Sequence, residues 1–62
     1  MKAYRVEVEV TDLSGRVLEH NAHVTWSRGP KGAASEVRER KVTSWGGHGQ
    51  VLVNVLDVCL WT

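Results

Sequence analysis

The sequence predicts an all-β fold, or a mostly β fold with one short helix, built as a four-stranded antiparallel meander that homodimerisation completes. Three observations predict it. Apolar and polar residues alternate near the amino end, breaker residues separate four segments, and the carboxyl-terminal segment is apolar on both faces of a strand. At 62 residues the chain forms one small β domain, residues 1–62, near the lower limit for folding without disulfides, metal or a partner.

The first two segments predict a hairpin. The apolar residues of the first segment recur at every second position: Tyr4, Val6, Val8 and Val10. In the second segment, Arg16 to Ser27, one face carries Leu18, Ala22, Val24 and Trp26. The turn between them contains Gly15, which can adopt a positive φ. We expect the two apolar sets to share one side of the hairpin, with Trp26 in the core.

The third segment, Ala33 to Trp45, permits two interpretations. As a helix it could be capped by Ser35, but its apolar stripe would hold only Ala34, Val37 and Val42. As a strand it is polar on both faces until Val42, which is typical of an edge strand protected by charge. We favour the strand and keep a short helix over residues 34–42 as the alternative.

The last segment predicts the assembly. Read as a regular strand, it places Val51, Val53, Val55, Cys59 and Trp61 on one face and Leu52, Leu56, Val58 and Leu60 on the other. Two arrangements are open: the strand folds back beside the first strand and becomes central, or it pairs with its copy in a dimer. We favour the dimer because either arrangement leaves one apolar face that a chain this short can hardly cover, so a second copy is expected to cover it. The predicted dimer interface consists of Val51, Leu52, Val53, Val55, Leu56, Val58, Leu60 and Trp61. The single cysteine, Cys59, is expected to be a small buried hydrophobe in a reducing compartment.

Positive charge is concentrated in the middle of the chain. Residues 28 to 41 include five basic and two acidic side chains, although the net charge of the whole chain is only +1. The predicted partner-binding residues are Arg28, Lys31, Arg38, Arg40, Lys41, Trp45 and His48. The leading hypothesis is a binding protein, an inhibitor or adaptor, that engages an acidic protein surface. The alternatives are a nucleic-acid-binding protein that uses the same residues with Trp45 as a stacking group, a structural subunit of an assembly, and a merely solvated mixed-charge face.

Other function classes lack support in the sequence. One cysteine and three scattered histidines do not have the spacing of a zinc site, so we expect neither metal nor cofactor. No local motif links a nucleophile to a base, and we therefore expect no enzymatic activity and no small-molecule substrate. No leader-like segment and no apolar run of about eighteen residues occurs, so we expect a cytoplasmic protein without a membrane partner.

Overall fold

A computed structural model describes all 62 residues and shows a three-stranded antiparallel sheet with one helix. The elements are β1, Lys2–Thr11; β2, Val17–Ser27; α1, Pro30–Ser44; and β3, Leu52–Leu60. The strand order is β2-β1-β3, and α1 packs on one face of the sheet. The prediction of a mostly β, antiparallel fold is confirmed. The edge strand favoured for the third segment is wrong, because that segment is helical, as the alternative had it, and no fourth strand is present.

The start of α1 is encoded locally, whereas its burial depends on the sheet. Gly29 is an extended N-cap, and Pro30 occupies the first turn, where its fixed φ suits a helix and its missing N–H costs nothing. Ala33 and Val37, one turn apart, are fully buried against β1. The sequence pattern favoured a strand because the apolar stripe of a helix over this segment is narrow. A narrow stripe suffices here because the side of α1 nearest β2 is held by polar contacts.

The core lies between α1 and the central strand. Tyr4, Val6, Val8 and Val10 all point towards the helix and are buried, as the alternation predicted. Three residues of β3 pack partly buried against this cluster: Val53, Val55 and Val58. The final strand therefore lies beside β1 at the edge of the sheet, not beside the third segment as a simple meander would require.

The hairpin register places the apolar side of β2 on the face opposite the one we expected. Asp12 Oδ1 accepts hydrogen bonds from the backbone N–H groups of Ser14 and Arg16, both at 2.9 Å. This turn, with Gly15 at φ 93° and a register shift at Val10/Thr11, pairs even positions of β1 with odd positions of β2. A one-residue change of register exchanges the faces of a strand. The helix-facing residues of β2 are therefore Glu19, Asn21, His23 and Thr25, and Trp26 is 66% exposed instead of buried in the core.

A bulge in β3 overturns the premise that both of its faces are apolar. Glu7 pairs with Asp57 and Val8 with Val55, so Leu56 is left without a partner on β1. Beyond this bulge the alternation moves by one residue. The helix side consequently receives Val53, Val55, Val58 and Leu60, whereas the other side receives Leu52, Asn54, Asp57, Cys59 and Trp61. Cys59 is exposed, so the expectation of a buried cysteine is wrong.

Candidate interaction surfaces

The five predicted binding cations separate into two groups. Lys41 is half-buried, and its Nζ donates a hydrogen bond to Glu19 Oε2 at 2.5 Å. Arg40 Nη2 lies 2.6 Å from Glu36 Oε1, one turn earlier in the helix. These two cations are therefore neutralised within the chain. The remaining three are exposed and form no ion pair, and we call them the helix cations: Arg28, Lys31 and Arg38.

The helix cations lie on the solvent side of α1. Lys31 and Arg38 are seven residues apart, which is two helical turns, so they share one stripe of the helix surface. That stripe is distant in angle from the buried pair Ala33 and Val37. Arg28 precedes the helix by two residues, at the end where Lys31 begins the stripe. Three positive groups without internal counter-ions thus line the outside of the helical layer.

Trp45 and His48 lie at the opposite end of the helix. The Trp45 indole Nε1 donates a hydrogen bond to Glu19 Oε1 at 3.0 Å, and the residue is 38% exposed. His48 Nε2 lies 3.3 Å from Glu39 Oε2 on an exposed surface. Because fifteen helical residues span about 22 Å, the seven predicted residues extend along the whole layer and do not form one compact cluster.

Glu19 is a central polar residue that the sequence pattern did not identify. Its carboxylate accepts hydrogen bonds from Lys41, Asn21 and Trp45. These bonds, Lys41 first, then Asn21 and Trp45, lower the pKa of Glu19 to about 2. Glu19 thereby ties the end of α1 to β2. Only the hairpin register puts Glu19 under the helix, and the Asp12 turn was the one available signal of that register.

The imidazole of His23 lies beside this cluster, on the helix-facing side of β2. Its Nε2 is buried and has no hydrogen-bond partner. Burial is the main cause that lowers the pKa of His23, and the nearby charge of Lys41 lowers it further, whereas Glu19 acts in the opposite direction. Next along the strand, the Thr25 hydroxyl donates to Glu36 Oε1 at 2.9 Å. The interface between α1 and β2 is therefore a polar layer, with one unsatisfied ring nitrogen.

The uncovered side of the sheet, which we call the open face, is acidic in its middle. It carries three carboxylates, those of Glu7 and Glu9 on β1 and Asp57 on β3, and one guanidinium, that of Arg5. His20 Nε2 lies 2.6 Å from Glu7 Oε2, and Arg5 Nη1 lies 3.9 Å from Glu7 Oε1. A shallow depression of about 230 Å³ is lined by Arg5, Glu7, His20, Asn21 and Ala22. No group of three or more potential metal ligands lies together anywhere in the chain.

One end of the open face is apolar. Beyond the Tyr4–Leu60 pair, the backbone N–H of Trp61 donates to the Ala3 carbonyl at 2.9 Å. Ala3 therefore lies between Trp26 on β2 and Trp61. The next row contains Val24, Arg5 and Cys59. Trp26, Trp61 and Val24 are 66%, 54% and 47% exposed, respectively. We call these two rows the apolar end.

The predicted dimer residues of the last strand do not form one surface. Val51 is buried, and the three valines of β3 belong to the core of the chain itself, so none of the four offers a free surface. Leu52, Leu56 and Leu60 remain about half exposed, together with Trp61. Leu52 and Trp61 lie on the open face, Leu60 lies on the helix side, and Leu56 is the bulged residue.

Comparison with known proteins gives no match: no family model, no curated protein and no solved structure is similar to this chain. No helix has both the length and the apolar character needed to cross a membrane.

Proposed function

We propose that this protein is a small, non-enzymatic binding module, acting as a homodimer, that captures an acidic surface of a protein partner through its helix cations. One observation carries the proposal. Arg28, Lys31 and Arg38 are exposed without internal counter-ions, whereas Arg40 and Lys41 are paired with acidic residues. Exposed unpaired charge steers association with a surface of opposite charge and favours the correct partner.

Charge segregation between the two layers supports a defined orientation of binding. The outside of the helical layer carries the helix cations, whereas the open face carries three carboxylates against one guanidinium. An acidic partner is therefore attracted to the helix and repelled from the open face. Two helix surfaces on one dimer would also engage a repeated or dimeric partner with higher avidity than one copy.

The aromatic residues favour a protein partner over nucleic acid. A nucleic-acid site would combine cations with exposed aromatic rings on which bases stack. The two most exposed tryptophans, Trp26 and Trp61, lie on the acidic open face, and Trp45 Nε1 is bonded to Glu19. The helix cations would have to hold a phosphate backbone without a neighbouring stacking group. Nucleic-acid binding is the competing outcome of the experiment below.

The chemistry-bearing side chains support a non-enzymatic role. The Ser44 hydroxyl donates to the Lys41 carbonyl, His48 lies beside Glu39, and Cys59 lies on the open face. The single depression is shallow, whereas substrate sites are usually enclosed clefts of larger volume. An exposed free thiol persists most readily in a reducing compartment, which favours the cytoplasm for this protein.

A matched pair of charge-reversal variants tests the proposal. Lys31→Glu with Arg38→Glu reverses two helix cations, and Lys2→Glu with Arg16→Glu makes the same change in residue types and net charge elsewhere. Each protein is immobilised and used to capture partners from native lysate, with and without nuclease. We expect the first variant to lose capture at least tenfold and the second to retain it, in nuclease-treated lysate as well.

Three outcomes would contradict the proposal. Equal loss in both variants would show that net charge matters and the helix surface does not. Capture that nuclease abolishes, with affinity for a labelled duplex falling linearly on a log–log plot against salt, would establish nucleic-acid binding instead. Wild-type assemblies larger than a dimer with no soluble partner would favour the structural-subunit alternative.

A further inference from the structure

We propose that the open face is a second binding surface, and that its occupant is a basic amphipathic helix of a partner protein. The apolar end receives the apolar side of that helix, and the carboxylates in the middle of the face receive its lysine and arginine side chains. This inference goes beyond the proposed function, because it assigns a second partner, of opposite charge, to the side of the sheet that faces away from the helix cations. The chain is then an adaptor that joins an acidic partner to a basic one.

The charge of the open face favours a basic occupant. Of its three carboxylates only Glu7 is paired, with Arg5 at 3.9 Å and with His20 at 2.6 Å. Glu9 and Asp57 form no ion pair. Asp57 also lies directly opposite Glu7 on the neighbouring strand, and like charges in that position destabilise a sheet. Cations of a partner would pair the free carboxylates and relieve this repulsion.

The apolar end supplies contact area that charge alone lacks. Trp26, Trp61 and Val24 are each about half or more exposed and lie within two adjacent rows of the face. Tryptophan is enriched among the residues that contribute most of the binding energy at protein interfaces. The small Ala3 lies between the two tryptophans in the strand order, which leaves room for an apolar side chain of the occupant. The occupant therefore needs an apolar side as well as positive charge.

The shape of the face favours a helix over an extended segment. Strands about 4.8 Å apart place the two outer strands roughly 10 Å from each other, and a helix with its side chains is about 10–12 Å wide. A single helix of fifteen residues, α1, already packs on the other side of the same sheet. An extended segment lying on the indoles would leave backbone N–H and C=O groups without partners, whereas a helix satisfies its own.

The rows of the face determine the pattern that the occupant must carry. Successive rows along β1 lie about 6.8 Å apart, a distance that a helix covers in about four to five residues. The apolar end occupies the rows of Ala3 and Arg5, and the carboxylates of β1 occupy those of Glu7 and Glu9. A helix lying along β1 therefore fits when two apolar residues one turn apart are accompanied by lysine or arginine about two and three turns further along the same stripe.

A designed peptide tests the identity of the occupant. The probe is an alanine- and glutamine-based helix of about 26 residues. Two leucines one turn apart stand at its centre, and lysines stand about two and three turns away on the same stripe at both ends, so the probe fits in either chain direction. Two control peptides replace the lysines with glutamates or move the leucines to the opposite side of the helix. We expect the probe to bind wild type at least tenfold more tightly than either control in isothermal titration calorimetry, and to bind more weakly as salt is added.

Matched variants locate the site on the protein. Glu9→Lys reverses an unpaired carboxylate of the open face, and Glu39→Lys makes the same change on the helical layer. We expect the first variant to bind the probe at least fivefold more weakly and the second to change by less than about twofold. Trp26→Ala should weaken binding at least tenfold, whereas Leu13→Ala, an exposed apolar residue outside the face, should leave it unchanged.

Cys59 provides a readout on the unmodified chain, so the test does not depend on variants that fold. Its thiol is exposed and lies in the row of Arg5, within the apolar end. At saturation the probe should slow the reaction of this thiol with a neutral alkylating reagent at least fivefold. The glutamate control peptide at the same concentration should leave the rate unchanged.

Other results would overturn this inference. No binding at about 1 mM probe, binding no tighter than that of the control peptides, or unchanged Cys59 reactivity in the bound state would exclude a basic helix on this face. Cys59 reactivity that falls as the concentration of protein alone rises would assign the face to a second copy. Amide shift changes confined to one edge strand in nuclear magnetic resonance spectra would indicate strand addition instead.

The two binding surfaces can be tested separately. The variant Lys31→Glu with Arg38→Glu, which removes the charge of two helix cations, should bind the basic probe at least as tightly as wild type. Glu9→Lys should in turn retain capture of the acidic partner. A chain that captures its acidic partner but ignores the probe would refute the second surface and leave the proposed function standing.

Discussion

The two faces of this sheet differ in which strand supplies their apolar residues. On the helix-covered face, the central strand contributes a buried, wholly apolar set, while β2 contributes polar residues that include Glu19 and His23. On the open face the relation is reversed: β1 contributes Arg5 and two glutamates, and β2 contributes Val24 and Trp26. The comparison shows that the helix covers the apolar face of the central strand. The faces of the two edge strands are set by the hairpin turn and by the bulge in β3.

This difference explains how so small a chain fixes its helix. Apolar packing holds the helix over β1 and β3, while hydrogen bonds and ion pairs hold it over β2. Polar contacts need defined geometry, so they specify the position of α1 along the sheet, whereas apolar burial supplies most of the free energy. Variants on the two faces should therefore differ in predictable ways.

The largest contrast is expected between neighbouring residues of β1. Val8→Ala removes two methyl groups from a fully buried side chain and should lower the free energy of unfolding by about 2 kcal/mol. Glu9→Ala, on the open face one residue later, should change it by less than about 0.5 kcal/mol. Urea denaturation followed by circular dichroism measures both. Similar losses in the two variants would show that the faces do not differ in burial.

The next effect concerns the polar contact between β2 and α1. Glu19→Gln removes the charge that holds Lys41 and should cost about 1–2 kcal/mol at neutral pH. Because the folded pKa of Glu19 is depressed to about 2, its contribution is complete above the unfolded value of 4.5 and is lost as the pH falls towards 2. Wild type should lose stability over that range more steeply than the variant. Glu39→Gln, at an exposed pair, is the control.

A smaller effect, of opposite sign, is expected at His23. His23→Leu removes a buried nitrogen without a partner and should raise the free energy of unfolding by about 1 kcal/mol. Since burial lowers the pKa of His23 in the folded chain, the unfolded chain takes up the proton first as the pH falls below 6.5. Wild type should therefore lose stability just below that pH, and the leucine variant should lack this loss. If the substitution destabilises the fold, an unseen partner of Nε2 is implied.

The smallest effect on folding is expected at Trp26. Trp26→Ala removes the largest exposed side chain of β2 and should change monomer stability by less than about 0.5 kcal/mol when measured well below the dimer dissociation constant. Leu13→Ala, an exposed apolar residue in the hairpin turn, should change the stability as little. A large loss in dilute Trp26→Ala would place the indole in the monomer core after all.

The success of sequence reasoning here followed the range of the interactions involved. Alternation in β1 and the Gly15 turn are local features, and both were predicted correctly. The helix was ranked only as the alternative to a strand because its burial depends on Ala33 and Val37 meeting β1, a contact between distant segments. The faces of β2 were wrong because the Asp12 turn, not hydrophobicity, sets the register.

For the predicted interaction residues, too, the local features were visible in the sequence and the long-range contacts were not. The excess of positive charge in the third segment was visible in the sequence, and three of its cations are exposed. That Arg40 and Lys41 are neutralised could not be seen, because Glu19 reaches Lys41 only through the hairpin register. The apolar residues of the last segment were identified correctly, but its four valines belong to the chain's own core, Val58 because of the bulge.

Leu56 shows how one surplus residue can restrict the growth of a sheet. Its removal would leave Val55, Asp57 and Val58 on their present faces while making the β3 ladder continuous. The shortened chain would keep its fold but expose an uninterrupted strand margin, the template from which fibrils extend. The extra leucine therefore interrupts the edge of β3 along which a further strand would pair.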